Sequence, residues 1–244
     1  MDSPFHHGHK YEPLSILFYE KMFDTKIGEF GCIKHKNIKY LAASPDGINI
    51  KKNNKRFMRA LEVKNPSSER IINGIPKKDY WIQMQLQMEC CDLQECDFLE
   101  TRFKEYENEE EFEKDGDFNL TKEGKKKGIM INFYTKDGPE YEYMPFNYSR
   151  EQYEKWYEKC LDENNERTWV RNIYWYLDEH SCVLVTRNKK WFNSVKGEFK
   201  KIWDIVLKER KNGFEHRKPK KRIKKKKTEN TIVIKVRTES FEQK

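Results

Sequence analysis

The chain has 244 residues, of which 37% are charged, 36% hydrophobic and 14% aromatic. Its fifteen Phe, thirteen Tyr and six Trp side chains exclude a wholly disordered protein, because such rings need a core or an interface to bury them. No window approaches about 18 uncharged apolar residues, so we expect no membrane span. The first ten residues, MDSPFHHGHK, lack the apolar core of a signal peptide, and we therefore expect a soluble intracellular protein.

The net charge of +8 comes from one segment near the C-terminus. Nine of the twelve residues from His216 to Lys227 are Lys or Arg and none is acidic, so the rest of the chain is close to neutral. We expect residues 214–244 to form a flexible basic tail. The tail would bind DNA phosphates, act as a localisation signal or have no dedicated role. The candidate DNA-binding residues in it are Arg217, Lys218, Lys220, Lys221 and Arg222.

The elements predicted from hydrophobic periodicity alternate between helices and strands. In chain order they are a helix over 9–23, extended stretches over 28–33, 38–44 and 59–65, a helix over 78–91, strands over 96–103 and 128–135, a helix over 149–161, a partly extended stretch over 173–185 and a long amphipathic helix over 188–210. The acidic segment Glu105–Asp117 is predicted to be a loop, and 231–236 could form a strand if an edge were available. This order favours an α/β fold with a mixed central sheet flanked by helices.

Side chains able to bind metals or DNA are also present outside the basic tail. The six cysteines contain no Cys-x-x-Cys pair, so we interpret them as buried or free thiols, with an iron–sulfur or zinc site as the alternative. His6, His7 and His9 are interpreted as an exposed helix start rather than a metal site. Lys189 and Lys190 stand beside aromatic residues in the last predicted helix, which favours packing with a solvated lysine face but also allows DNA contact.

The predicted helix over 78–91 is apolar around most of its circumference, apart from a narrow stripe. At 100° per residue, Tyr80, Gln83 and Gln87 fall within about 60° of one another. An apolar helix with one polar stripe is typical of a buried helix that faces a polar site.

A strand with two charged residues on one face is the main candidate for chemistry. In the apolar strand Ala60-Leu61-Glu62-Val63-Lys64, alternation places Glu62 and Lys64 on the same face. Asp46 ends the preceding extended stretch in a Ser-Pro-Asp-Gly turn, and a hairpin could bring it alongside Glu62. Two carboxylates with a nearby lysine suit metal-assisted phosphodiester cleavage. The alternative is a structural Glu62–Lys64 pair and an ordinary turn.

Three motifs in series resemble those of the YqaJ-type viral recombinases, relatives of phage lambda exonuclease within the PD-(D/E)XK nuclease superfamily. They are Ser44-Pro45-Asp46-Gly47, Leu61-Glu62-Val63-Lys64-Asn65-Pro66 and Tyr80-Trp81-Ile82-Gln83-Met84-Gln85. The match is ordered, correctly spaced and covers roughly residues 8–103. It implies a restriction-endonuclease-like core with an α-rich C-terminal extension. We therefore expect a nuclease core over 1–145, a helical extension over 146–213 and the basic tail over 214–244.

The resemblance also implies roles for individual residues. Asp46, Glu62 and the Val63 carbonyl would bind Mg²⁺, or alternatively Mn²⁺, and Lys64 would handle the nucleophilic water. Gln83, with Tyr80 one turn before it, would form the glutamine motif of the family, and Glu12 in Gly8-x-x-x-Glu12 would complete the acidic cluster.

The activity implied by the resemblance is metal-dependent hydrolysis of double-stranded DNA. We expect a 5′–3′ exonuclease in viral recombination or repair, acting in the host cytoplasm or nucleus, with a single-strand annealing protein and a homo-oligomer as expected partners. The alternatives are a structure- or site-selective endonuclease on the same fold and a non-catalytic DNA-binding scaffold. Family exonucleases carry a longer segment before the Gly-x-x-x-Glu helix. Basic and hydroxyl residues of that segment hold the 5′-phosphate of the substrate. Here eleven residues precede Glu12, so we expect a shortened or split form, or a differently built phosphate pocket.

Overall fold

The computed structural model describes residues 4–67, 71 and 75–218. The chain divides into two units, one ending at Phe199 and the other beginning at Lys200. The first unit contains the sheet and the candidate site. The second contains the C-terminal part of the last helix and a single 3₁₀ turn at Glu215–Arg217.

The secondary structure alternates between helices and strands, in the order expected for an α/β protein. The helices of the described residues are α1 (Pro4–Phe23), α2 (Lys78–Cys90), α3 (Glu109–Lys114), α4 (Arg150–Glu163) and α5 (Lys189–Asn212). The strands are β1 (Ile27–Gly28), β2 (Ile33–Lys34), β3 (Ala42–Ala43), β4 (Gly47–Asn49), β5 (Ala60–Lys64), β6 (Glu95–Glu105), β7 (Lys127–Thr135), β8 (Gly138–Tyr143) and β9 (Thr168–Thr186).

Seven strands form one mixed sheet in the order β1-β4-β5-β6-β9-β7-β8. Strands β5 and β6 run parallel, because α2 provides the crossover between them, whereas the other neighbouring strands in the sheet run antiparallel. Strands β2 and β3 form a separate two-stranded sheet. The predicted α/β fold, with a mixed central sheet flanked by helices, is confirmed.

Strand β5 is buried on both faces, and its side chains alternate between two helices. Leu61 and Val63 pack in one cluster with Tyr19 of α1, whereas Ala60 packs in another with Met84 and Met88 of α2. Glu62 therefore lies on the face covered by α2, as the alternation predicts. Because both faces are covered, a charged side chain on this strand must find a partner inside the protein.

The region after residue 145 contributes a strand as well as helices. Residues 146–213 contain α4 and α5, as expected, but they also contain the 19-residue strand β9. This strand pairs with β6 on one side and β7 on the other, so it lies inside the sheet. A boundary at residue 145 therefore divides strands of the same sheet.

Two further predictions from local patterns differ from the structure, and one strand was not predicted. The stretch predicted as extended over 28–33 is split between β1 and β2, which belong to different sheets. The acidic segment contains a short helix, α3, because Asn108 caps its first turn by accepting a 2.9 Å hydrogen bond from the Glu111 N–H and because Phe112 is buried. Strand β8 has no counterpart among the predicted elements.

The sequence predicts no membrane-spanning segment, and the described helices can be compared with this prediction. None of the helices over the described ranges is both long and apolar enough to cross a bilayer. The described part of the basic tail includes the 3₁₀ turn at Glu215–Arg217, where flexible chain was predicted. Lys220, Lys221, Arg222 and the predicted strand over 231–236 lie outside the described residues.

Candidate active site

The loop between β3 and β4 brings Asp46 beside the strand that carries Glu62. Strands β4 and β5 pair antiparallel with Gly47 opposite Leu61, so Asp46 lies next to the strand. Its Oδ2 accepts a 2.7 Å hydrogen bond from the Val63 N–H. A Cβ on Gly47 would lie 2.2 Å from Cγ2 of Ile27, so this close approach of β1 to the loop requires glycine.

Glu62 is fully buried and both of its carboxylate oxygens are engaged. Oε1 pairs with the Lys64 ammonium, two residues further along the same face of β5. Oε2 accepts a 2.6 Å hydrogen bond from Nε2 of Gln87 on α2. The Lys64 ammonium also lies 5.2 Å from the centre of the Tyr80 ring, within range of a cation–π contact. The charged pair predicted on one strand face is thus present, with Glu62 buried and the Lys64 side chain partly exposed.

The carboxylates repel one another, and burial strengthens the effect. Burial and the charge of Glu62 raise the pKa of Asp46 to about 7, although the Val63 N–H opposes this shift. Burial also raises the pKa of Glu12, with a contribution from Glu62 that His9 and Lys64 oppose. Burial lowers the pKa of Lys64, but Glu62 and Asp46 outweigh it and the pKa is raised overall. The site therefore concentrates negative charge around one ammonium.

A cleft of about 440 Å³ lies between the start of α1, the end of β5 and the start of α2. Glu12, Lys64 and Tyr80, all predicted site residues, line it. Several other lining residues were not predicted from the sequence, because they come from separate segments and carry no local signal of their meeting. These further lining residues are Gly8, His9, Asn65, Pro66, Lys77 and Glu100. The cleft is also lined by Val63, whose carbonyl is a predicted metal ligand.

The polar stripe of α2 contains two glutamines, Gln83 and Gln87, either of which could be the site residue. Gln83, the predicted one, is exposed. Gln87, one turn further along the same stripe, is 1% exposed and contacts Glu62 directly. Gln85 is equally buried on another side of the helix, where it donates a 2.9 Å hydrogen bond to the Thr186 carbonyl. The role predicted for Gln83 stays a prediction. The buried contact with Glu62 is made by Gln87.

The donor set of the site fits a divalent cation that prefers oxygen. No three His, Cys, Asp or Glu side chains converge into a ready-made metal cluster within the described ranges. Asp46 and Glu62, together with the Val63 carbonyl, offer hard oxygen atoms, and Mg²⁺ commonly binds to one or two carboxylates while keeping several waters. The raised pKa of Asp46 indicates that a cation here would relieve repulsion between the carboxylates.

Lys189 and Lys190, two of the predicted DNA-binding residues, are not among the residues that line this cleft. Lys189 and Lys190 are exposed in the first turn of α5 and line a second cleft of about 520 Å³, together with Trp81 and Arg187. Arg217 pairs with Glu209 at 3.1 Å, and Lys218 pairs with Glu215. Among the described members of the predicted set, the lysine pair of α5 therefore lines a cleft.

Comparison with known proteins relates the chain to viral and bacterial proteins. The chain is 31% identical over 236 residues to an uncharacterized protein of Acanthamoeba polyphaga mimivirus, a match that covers 83% of this chain and 43% of that protein. The chain thus spans less than half the length of this relative.

Two solved structures of a bacterial enzyme are also similar. A crystal structure of an alkaline exonuclease (LHK-Exo) from Laribacter hongkongensis matches with 31% identity and a TM-score of 0.37, covering 42% of this chain and 52% of that one. A structure of LHK-Exo in complex with dAMP matches with 18% identity and a TM-score of 0.46, covering 87% and 75% of the two chains.

The family assignment rests on the N-terminal part of the chain. Residues 1–94 match the YqaJ-like viral recombinase domain. This range contains the Asp46 loop, the Glu62–Lys64 strand and the glutamine-bearing helix. Residues of the strand and of the helix line the cleft, and the Asp46 loop is joined to the strand through the Val63 N–H. Residues 1–94, less than half of the chain, are therefore similar to the YqaJ-like viral recombinase domain.

Proposed function

We propose that this protein is a metal-dependent deoxyribonuclease that digests double-stranded DNA from its ends in the 5′–3′ direction. The main observation behind the proposal is the hydrogen bond that ties Asp46 to β5. The Asp46 carboxylate accepts it, at 2.7 Å, from the N–H of Val63, the residue between Glu62 and Lys64. This arrangement brings two carboxylates to one strand beside an ammonium, and Lys64, which bears the ammonium, lines the cleft. The family match supports a nuclease that acts in viral recombination or repair.

The metal we propose is Mg²⁺, with Mn²⁺ as an alternative that shares its preference for hard oxygen. Asp46, Glu62 and the Val63 carbonyl would hold it, and Glu12 lines the same cleft as Val63. When bound, the cation would stabilise the charge that develops on the attacking and leaving oxygens of a phosphodiester.

The charge state of Lys64 limits what it can do. Its raised pKa keeps it an ammonium, which donates hydrogen bonds but cannot accept a proton. We propose that Lys64 orients the attacking water or a phosphate oxygen through these donors. The Tyr80 ring, 5.2 Å from the ammonium, restricts the position of Lys64 on the wall of the cleft.

Basic residues outside the catalytic cleft would take part in DNA binding. Lys189 and Lys190 would contact phosphates outside the catalytic cleft, and the basic tail would add affinity that depends on salt. We propose that the protein acts at sites of viral DNA replication in the host cell, together with an annealing protein or further copies of itself.

The direct test is digestion by Asp46→Asn and Glu62→Gln in the presence of Mg²⁺. The substrates are linear DNA labelled at either end, with and without a 5′-phosphate, and covalently closed circles. We expect the wild type to release label from 5′ ends and to leave circles intact, and we expect both variants to lose digestion while still binding DNA. Asp24→Asn, at an exposed position, and Glu95→Gln on β6 are matched controls that should digest normally.

The outcomes of this test separate the proposal from its rivals. Undiminished digestion by either site variant would refute the assignment of the site. Cleavage of closed circles by the wild type would replace the exonuclease with an endonuclease. Binding of DNA with no digestion by the wild type in Mg²⁺ or Mn²⁺ would favour a non-catalytic scaffold.

A further inference from the structure

Gln87 joins the two segments that carry the site carboxylates. Its side chain, 1% exposed, lies between α2 and β5. Nε2 donates a 2.6 Å hydrogen bond to Oε2 of Glu62 and a 3.2 Å hydrogen bond to the carbonyl of Ser44. Ser44 stands two residues before Asp46 in the same loop. One amide group thus connects Glu62 to the loop of Asp46.

The orientation of the Gln87 amide follows from the chemistry of its neighbours. A carboxylate and a backbone carbonyl can only accept hydrogen bonds, so the NH₂ group must face both of them. Its two protons are then used, and Oε1 points away from these acceptors. Oε1 is buried and accepts no hydrogen bond from the residues that the structure describes. A buried amide oxygen normally has a partner, and a site-bound water is one that suits it.

We infer that Gln87 is the positioning residue of the carboxylate pair, which holds Glu62 at a set distance from the Asp46 loop and offers Oε1 to a water bound there. This inference rests on the proposed function, because it concerns the same cation site. Removing the amide would release one oxygen of Glu62 and the Ser44 carbonyl together. Groups that orient metal ligands in this way typically change metal affinity by about 10–100-fold when they are removed.

The chain offers a matched control on the same helix. Gln85 is as buried as Gln87, but it joins α2 to the start of α5 through the Thr186 carbonyl and through the Asn188 N–H, which donates to Oε1 at 2.6 Å. Gln85→Met and Gln87→Met each remove one buried amide and keep the length of the side chain. The two variants differ in whether the amide that is removed contacts the carboxylate site.

The experiment measures Mg²⁺ binding to the full-length protein by calorimetry without DNA, and the Mg²⁺ concentration that gives half-maximal digestion. We expect Gln87→Met to weaken Mg²⁺ binding about tenfold or more and to raise that concentration by a similar factor, while DNA affinity in EDTA is unchanged. Gln85→Met should lower the melting temperature and leave both Mg²⁺ values unchanged. If Gln87→Met does not fold, Gln87→Asn, whose amide is too short to reach Glu62, should show the same loss.

Two results would overturn the inference in distinguishable ways. Equal Mg²⁺ binding by wild type, Gln87→Met and Gln87→Asn would overturn the positioning role and leave the proposed nuclease intact. A wild-type protein that binds no Mg²⁺ and digests no DNA would overturn the proposed function and the inference together.

Discussion

The Asp46 carboxylate accepts a 2.7 Å hydrogen bond from the N–H of Val63, the residue between Glu62 and Lys64. This bond ties a loop aspartate to the strand that bears the other carboxylate and the lysine. A carboxylate held this way stays close to Glu62 although the two negative charges repel each other. The consequences concern stability as well as cleavage, and each can be measured.

The first prediction concerns the pH dependence of stability in the metal-free protein. The pKa of Asp46 is about 7 in the folded protein, against an ordinary value of 3.8. Between these values the folded protein holds a proton that the unfolded chain has released, so the stability of the wild type falls as the pH rises. Asp46→Asn has no such charge to bury. Its stability relative to wild type should therefore increase by roughly 3 kcal/mol between pH 4.5 and pH 8.

Urea unfolding in EDTA at the two pH values measures this change. Asp24→Asn serves as the control, because Asp24 is exposed and its pKa is lowered by Lys51, so its effect should not vary above pH 5. A stability difference between Asp46→Asn and wild type that stays constant from pH 4.5 to pH 8 would contradict the prediction.

The second prediction concerns the ion pair between the buried Glu62 and the partly exposed Lys64. Lys64→Met keeps most of the apolar stem but leaves the fully buried Glu62 carboxylate beside Asp46 without its cation. We expect a loss of about 3 kcal/mol in the free energy of unfolding without metal, because an uncompensated charge remains buried. Mg²⁺ should restore part of this loss, although digestion of DNA stays absent. Thermal melts with EDTA and with Mg²⁺ measure both effects, and a melting temperature equal to wild type in EDTA would count against a buried pair.

The third prediction concerns a buried polar cluster that holds α1 against the sheet. Thr101 Oγ1 lies 2.7 Å from Ser15 Oγ, and Asn65 Nδ2 donates to both oxygens, at 2.8 Å and 2.7 Å. Ser15 follows Glu12 by one turn, and Asn65 follows Lys64, so this cluster places Glu12 on the same cleft as the lysine. Thr101→Val keeps the shape of the side chain but removes the hydroxyl shared by the other two residues.

We expect Thr101→Val to cost about 1–3 kcal/mol of unfolding free energy, because it leaves buried polar groups without a partner. The exposed Thr168, where the same substitution should change stability by less than about 0.5 kcal/mol, is the control. Urea unfolding compares the two variants. Equal stability for Thr101→Val and wild type would show that the cluster contributes nothing to the attachment of α1.

The fourth prediction concerns the basic segment near the C-terminus. Deleting 214–244 removes nine Lys and Arg residues of the basic run. If these residues bind DNA, affinity should fall and its dependence on salt should flatten, by about 0.9 in the log–log slope for each phosphate that the segment neutralises in the wild type. Digestion at low salt should persist, since the carboxylate site lies outside the deleted segment. Fluorescence anisotropy between 50 and 300 mM salt (roughly a sixfold range) measures the slope, and an unchanged slope would exclude a DNA-binding role for the segment.

The sequence by itself determined the local features of this protein. The helix over 78–91 and the strand around Glu62 were predictable because amphipathic periodicity depends only on neighbouring residues. The positions of Glu62 and Lys64 on one face follow from the two-residue repeat of a strand, and the structure confirms that they pair. The Ser-Pro-Asp-Gly turn placed Asp46 at a loop for the same local reason.

The tertiary structure decided which residues meet. Gln83 and Gln87 lie on the same stripe of α2, and only packing against β5 buries Gln87 on Glu62 and leaves Gln83 exposed. Likewise, the sequence predicts β9 only as a partly extended stretch, and its central place in the sheet depends on partners, β6 and β7, far from it in the chain. Burial and pairing between distant segments are properties of the folded chain, so no local pattern could have specified them.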